Sequence, residues 1–399
     1  MGTRVAPPDL EDFAGAGQRL LGGHLDGIYE SAWNQAGPLQ LLVSRLLLVG
    51  GADGMPAAVT FFVVNAGLMV AALQLCGGRP QPETGLRRET GLRREGLRPE
   101  TGPRPETAPR PKTAPRPKTA PRPETAPRPE TGLRREGLRR ETVVGLVVLL
   151  WLAVPVVGDG HPAELAVPVL WAYAMVLGKS RRLVAAGIVL GVAVAIAPWA
   201  VLGFPCLLAA GPLWQVVRVA GLGGIVGAAA YLPFVVGGHF GMFGHVWPVA
   251  AGTLAAFAGL EQVSWAMRLV QAEVVAVGCG LVAWRFRERV LVVAGAPAVA
   301  VLLRVATDSV ELRYYWGPVA VTTVMVLALM PERRWRLGVL LGYLALLAAS
   351  LGRPLAGATV CLGVLVMALA KDSTGRHGDS TGRHGDSASA RGGLTGAHG

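Results

Sequence analysis

The chain is short of charge. Lys, Arg, Asp and Glu make up 16% of its 399 residues, against 52% hydrophobic ones, whereas a soluble domain carries about a quarter charged residues. That balance excludes an ordinary soluble enzyme. Cysteine is scarce as well: Cys76, Cys206, Cys279 and Cys361 each lie inside an apolar stretch, and none makes a CxxC pair. The pattern excludes a disulfide framework or a zinc ribbon and leaves four small hydrophobes. There is no GxxxxGK[ST] loop, and the glycine-rich "GLGGIVG" at 221–227 does not fit GxGxxG. Without a phosphate cradle, nucleotide-dependent chemistry is disfavoured. Gly223 and Gly227 read instead as a small-xxx-small packing face between helices. The histidines lack HExxH or His-x-His spacing, so ligand spacing supports no metal and no cofactor is expected. No cleavable signal peptide is expected either, because "MGTRVAPPDLEDF" is polar.

What is present is apolar sequence in blocks of about 15–22 residues, divided by short polar punctuation. The expected fold is all-α, a polytopic transmembrane helical bundle of about eleven membrane segments. They fall at 56–76, 143–157, 165–178, 183–197, 199–214, 216–236, 266–284, 290–306, 317–331, 337–350 and 355–370. The segments 165–178, 183–197 and 199–214 are short for a bilayer of about 30 Å, so tilting or breakage around Pro198 and Pro205 is expected. When the segments alternate, "KSRR" (179–182), Arg218, "RFRER" (285–289) and "ERRWR" (332–336) share one side. The positive-inside rule makes that side cytoplasmic, which places a multi-pass chain in the plasma membrane.

The formal charge of +12 could suggest nucleic acid, but its location argues otherwise. Residues 78–142 hold 17 Lys and Arg against 9 Glu, so +8 of the excess lies in one insert. It is a six-residue tandem repeat, "ETGLRR" at the flanks and "TAPRPK" or "TAPRPE" in the middle, with no aromatic residue on which bases could stack. Proline at this density gives extended polyproline-II chain, so a disordered linker is expected and no nucleic-acid partner. The tail after Lys371 repeats "DSTGRHG" and reads the same way. The expected organisation is therefore an extracytoplasmic N-terminal loop (1–37), a juxtamembrane or re-entrant helix plus the first clear membrane helix (38–77), the insert (78–142), the main bundle (143–370) and a disordered tail (371–399). Insert and tail are expected in the cytoplasm.

The opposite side receives 158–164, 237–265, 307–316 and 351–354, and it collects the unusual chemistry. "GDGHPAEL" carries Asp159, His161 and Glu164 between two apolar runs, where a charge costs roughly 2.5–3.5 kcal/mol at a helix centre. A wet outer turn explains their tolerance, and side chains in such a turn would carry no core packing. "GGHFGMFGHVWP" adds His239 and His245, and "TDSVELRYYWGP" adds Asp308, Glu311, Arg313, Tyr314 and Tyr315. An extracytoplasmic binding or reaction surface follows. Tyr314, Tyr315, Trp316 and Trp247 also suit an interfacial aromatic belt, and Arg313 with Asp308 or Glu311 suits a surface ion pair.

The N-terminus narrows the function. "DLEDFAGAGQRLLGGHLDGIYESAWNQAGPLQLL" has Asp9-Leu10, Phe13, Ala16-Gly17, Leu20-Leu21-x-Gly23, Tyr29 and Pro38 in order. This resembles the first outer loop of the bacterial polyprenol-phosphate-dependent integral-membrane hexosyltransferases (glycosyltransferase family 87, C-type glycosyltransferase fold). "GHPAEL" stands where that family shows a Gly-Gln-x-Asn turn; Ile196-Ala197 stand before Pro198 where it commonly has a lysine. The family's apolar helix ahead of Asp-Leu has no counterpart here, as expected of an N-terminally truncated relative. The resemblance implies a hexose, mannose first, moved from a polyprenyl-phosphate donor to an envelope glycan or glycolipid at the outer face of the bilayer. It implies Asp9, or else Asp12, as the catalytic base. On the same reading Arg313, with His161 as a second candidate, meets the departing phosphate, His161 and Glu164 bind sugar hydroxyls, and Asp308, Tyr314 and Tyr315 complete the substrate surface. A transporter or flippase of a lipid-linked sugar, and a non-catalytic membrane protein, are the alternatives.

Overall fold

The computed structural model describes residues 8–30, 34–48, 161–310, 313–330 and 335–371. The expected segments 56–76 and 143–157, the insert and the tail lie outside the described residues. The described residues are mostly helical: α1 (Pro8–Leu21), α2 (Pro38–Leu47), α3 (Ala166–Lys179), α4 (Leu183–Ile196), α5 (Leu213–Gly237), α6 (Trp265–Arg285), α7 (Val292–Thr307), α8 (Trp316–Leu329), α9 (Trp335–Leu351) and α10 (Pro354–Lys371). A 3-10 segment, Pro198–Ala209, stands between α4 and α5, and the α5–α6 connection holds a two-residue antiparallel pair, Trp247–Pro248 against Gln262–Val263.

The breaks follow from the sequence. Ala197 precedes Pro198 and takes an extended conformation, which ends α4, because proline's Cδ excludes the helical region for the residue before it. The next segment was expected as a helix over 199–214; it winds as a 3-10 helix instead, with Pro205 inside it. Proline removes one N–H from an α-ladder, and Gly203 lets the segment press on the Trp171 indole, where a Cβ would collide. The break before α5 comes at Gly211-Pro212, three residues earlier than expected.

Apart from Arg304 in its last turn, α7 is apolar all round and is buried along nearly its whole length, as a central helix must be. It packs on α6, α8 and α10, while α3 and α4 pack together and α4 lies along α5. The α4–α5 seam is built from reciprocal glycines. Gly187 and Gly191 face Leu222 and Val226, and Gly223 and Gly227 face Leu190 and Val194, so the packing face expected at 223 and 227 is formed from both sides.

Only α5 and α6 among the described helices are long and apolar enough to cross a bilayer, with mean hydropathy 1.9 and 1.6; 22% of each such stretch is buried within the protein. Leu213, Val217, Ile225, Leu232 and Val236 of α5 and Leu269, Val277 and Leu281 of α6 stand exposed. Apolar surface of that extent marks contact with lipid or protein.

The stretch expected as an N-terminal loop contains α1. Its Phe13 and Ala16 join Ile28, Tyr29, Leu41, Phe234 and Met242 in a second apolar cluster that ties the N-terminus to the end of α5. Tyr29 donates to the Ala36 carbonyl at 2.8 Å, and the Gly37 amide donates to the Ile196 carbonyl at 2.9 Å. A Cβ at Gly37 would run into the carbonyl oxygens of Ala195 and Ile196, so glycine is required for this docking. α2 has ten residues, about 15 Å of helix and half a bilayer.

Candidate functional site

A cavity of about 480 Å³ opens where α1, the start of the 3-10 segment, and the connections before α3, α6 and α8 converge. Leu10 and Phe13 are buried in the packing of α1, which leaves Asp9, in the first turn, at the cavity. Its carboxylate is 51% exposed, and Oδ2 lies 2.9 Å from Nε2 of His161, whose side chain is only 10% exposed.

His161 begins a row of alternating charge. Its Nδ1 is 3.5 Å from Glu164 Oε1, and Glu164 Oε2 is 3.3 Å from Arg304 Nη1. The His161 ring stacks on Tyr314 at 3.8 Å and meets the Phe13 ring edge-on. Arg304 lies between two aromatic faces, 3.9 Å from the Trp199 ring and 4.4 Å from that of Tyr315. On the far wall Arg268 pairs with Asp308 (2.8 Å), is accepted by Gln271 Oε1 (2.8 Å), and lies over the Trp247 ring at 4.5 Å.

Burial opposes charge on His161, but hydrogen bonds to Asp9 and Glu164 outweigh it and push its pKa up to about 9. Burial would raise Glu164; the opposing charges of Arg304 and His161 win and hold its carboxyl below the usual carboxylate value. Burial, with Asp308 adding to it, pushes Tyr315 up to about 12, and burial raises Tyr314 as well. Burial and the nearby Arg268 cation lower His245. Near neutral pH the cavity therefore presents a histidinium, a neutral His245 and two protonated phenols.

The structure brings together six of the eight proposed catalytic and substrate residues, Asp9, His161, Glu164, Asp308, Tyr314 and Tyr315, and adds His245 and Trp247 of the outer connections; all of these border the cavity. Asp12 does not; it is exposed on α1. Arg313 begins the turn Arg313–Tyr315, and its side chain lies outside the described residues. Among the described residues the guanidiniums in the cavity are Arg268 and Arg304. The turn at 161–164 also differs from a wet connection, because His161 and Glu164 are both buried: each uses its charge to neutralise a neighbour, which lowers the cost of leaving water.

Arg268, Arg304, Trp199, Trp265, Gln35 and Gln40, none of them among the residues expected at the site, also border the cavity. For Arg304 a signal existed, a lone arginine near the end of an apolar run, and a charge so placed marks a site by default. Among the described residues no three His, Cys, Asp or Glu side chains are grouped to hold a metal ion. Comparison with known proteins adds no family: no family model matches the chain, and no curated protein or solved structure is significantly similar to it.

Proposed function

We propose that the protein is a membrane glycosyltransferase that moves a hexose from a polyprenyl-phosphate donor to an envelope glycan or glycolipid. One juxtaposition supports this reading: a half-exposed carboxylate, Asp9, is held by His161 at the mouth of a cavity walled by aromatic rings and two arginines. In this mechanism the oxygen of Asp9 that does not face His161 takes the proton of an acceptor hydroxyl. The hydroxyl oxygen forms its bond to the anomeric carbon as the carbon–oxygen bond to phosphate breaks, and polyprenyl phosphate leaves with the electron pair. His161 fixes the carboxylate's orientation without taking its proton, since it is already charged. Arg268, on the wall facing the α5–α6 connection, is the cation for the developing phosphate charge.

We further propose the multi-pass arrangement of eleven segments in the plasma membrane, with insert and tail cytoplasmic and the cavity outside. It is supported by the cavity lining, which draws on the connections 158–164, 237–265 and 307–316, all assigned to one side by alternation.

The test is sugar transfer from radiolabelled polyprenyl-phosphate mannose in membranes holding wild type or Asp9→Asn. Loss of a positioned general base lowers the rate about 10²–10⁴-fold, and Asp12→Asn should leave it near wild type. Equal rates in wild type and Asp9→Asn would overturn the assignment of Asp9. Movement of the intact lipid-linked sugar across the bilayer without transfer would favour the flippase instead.

A further inference from the structure

Among the described residues the charges in the cavity stand in pairs. Asp9 pairs with His161, Glu164 with Arg304, and Asp308 with Arg268. Some hydrogen-bonding capacity is left over, and among the described cavity residues only Gln40, a neutral one, has two such atoms. Gln40, on α2, is 1% exposed and borders the cavity, yet neither its Nε2 nor its Oε1 has a hydrogen-bond partner among the described residues. Three further cavity residues each have an unused atom among the described residues: Trp199 Nε1 and Arg268 Nε, both donors, and Asp308 Oδ2, an acceptor whose sister oxygen takes both Arg268 and the Val310 amide; His161 Nδ1 has only the long 3.5 Å approach to Glu164.

Leaving a buried amide unpaired costs about 1–3 kcal/mol, so such a residue is explained when a ligand completes it. A carboxamide offers one donor direction beside one acceptor direction in a single plane. A pair of neighbouring ring hydroxyls answers it, one accepting from Nε2 and the other donating to Oε1. Phosphate answers only the donor half, because it carries no hydrogen for Oε1 when fully ionised.

We propose that Gln40 reads two adjacent hydroxyls of a neutral sugar ring and is the specificity-determining residue of this cavity, with Trp199 Nε1 and Asp308 Oδ2 serving a further hydroxyl. The proposal deepens the transferase reading and takes from it only the choice of a hexose as ligand. Ser44, one turn further along α2, also has a hydroxyl without a partner among the described residues but does not border the cavity, so it serves as a neighbouring control.

The experiment uses the full chain in nanodiscs and free methyl hexopyranosides, so that no transfer is needed. Binding is followed by tryptophan fluorescence, since Trp199, Trp247 and Trp265 border the cavity. Wild type should bind at least one methyl hexopyranoside saturably, and its deoxy analogues lacking either hydroxyl of one adjacent pair should bind about tenfold more weakly. Gln40→Met, which keeps the shape and drops the amide, should lose the same factor on the parent sugar and nothing more on those two analogues. Ser44→Ala should bind like wild type. No saturable binding to wild type, or a Gln40→Met variant that binds the parent normally, or losses that simply add across the analogues, would each overturn the proposal. Should Gln40→Met fail to fold, Gln40→Glu keeps the shape and the acceptor and permits the same comparison. Hexoside binding read by Gln40 in a protein that transfers no sugar would remove the transferase reading and leave this subsite standing.

Discussion

The Asp9–His161 contact makes a pH argument at the scale of single residues. His161 titrates near 9 in the folded chain against 6.5 for an ordinary histidine. A folded value above the unfolded one means that the link contributes fully below pH 6.5 and is lost as pH rises through about 9. The melting temperature of wild type should therefore exceed that of Asp9→Asn by a margin that is full near pH 6, shrinks between 6.5 and 9, and is gone by about pH 10. A margin that stays constant across that range would show that His161 is not charged against Asp9. This partnership was not legible in the sequence. Aspartate and histidine were each visible as charges beside apolar runs, but 152 positions separate them, and no local rule joins residues so far apart. Nor was Gln40 visible, since an amide in the short helix α2 looks like any half-buried polar residue until its neighbours are known.

Among the elements, helix ends were the most readable feature, because polar punctuation and proline act locally. α3, α4, α6 and α10 begin and end within about two residues of the apolar blocks. The 3-10 segment was not readable as such: an all-apolar stretch has no periodicity to separate one winding from the other. The reciprocal glycines of the α4–α5 seam yield a prediction at this scale. Gly191→Ala would drive a methyl into Val226, and overpacking of this kind costs about 1–3 kcal/mol. Gly221→Ala, on the exposed side of α5 with nothing within 4 Å of the new atom, should instead gain about 0.5–1 kcal/mol from helix propensity. Thermal unfolding of the two variants in one detergent decides between a close-packed seam and a loose one; equal stability would refute the close seam.

For the whole molecule, the proposed topology is tested by single cysteines placed in the insert and tail, neither of which has one of its own. A membrane-impermeant thiol reagent should label them only after the cells are opened, and labelling of intact cells would reverse the arrangement. Deleting residues 84–136, the body of the repeat, should leave Asp9→Asn-sensitive transfer intact, because a chain of this composition buries no core. The cavity itself is assembled from sequence that begins at Asp9 and does not end until Tyr315. During synthesis, Asp9 leaves the ribosome first and waits: His161, the Phe234 and Met242 that seat α1, and the Arg304 that balances Glu164 are all made later. The carboxylate assigned to chemistry is thus the earliest part made and among the last fixed in place, and a nascent chain stopped anywhere short of Tyr315 holds an incomplete site.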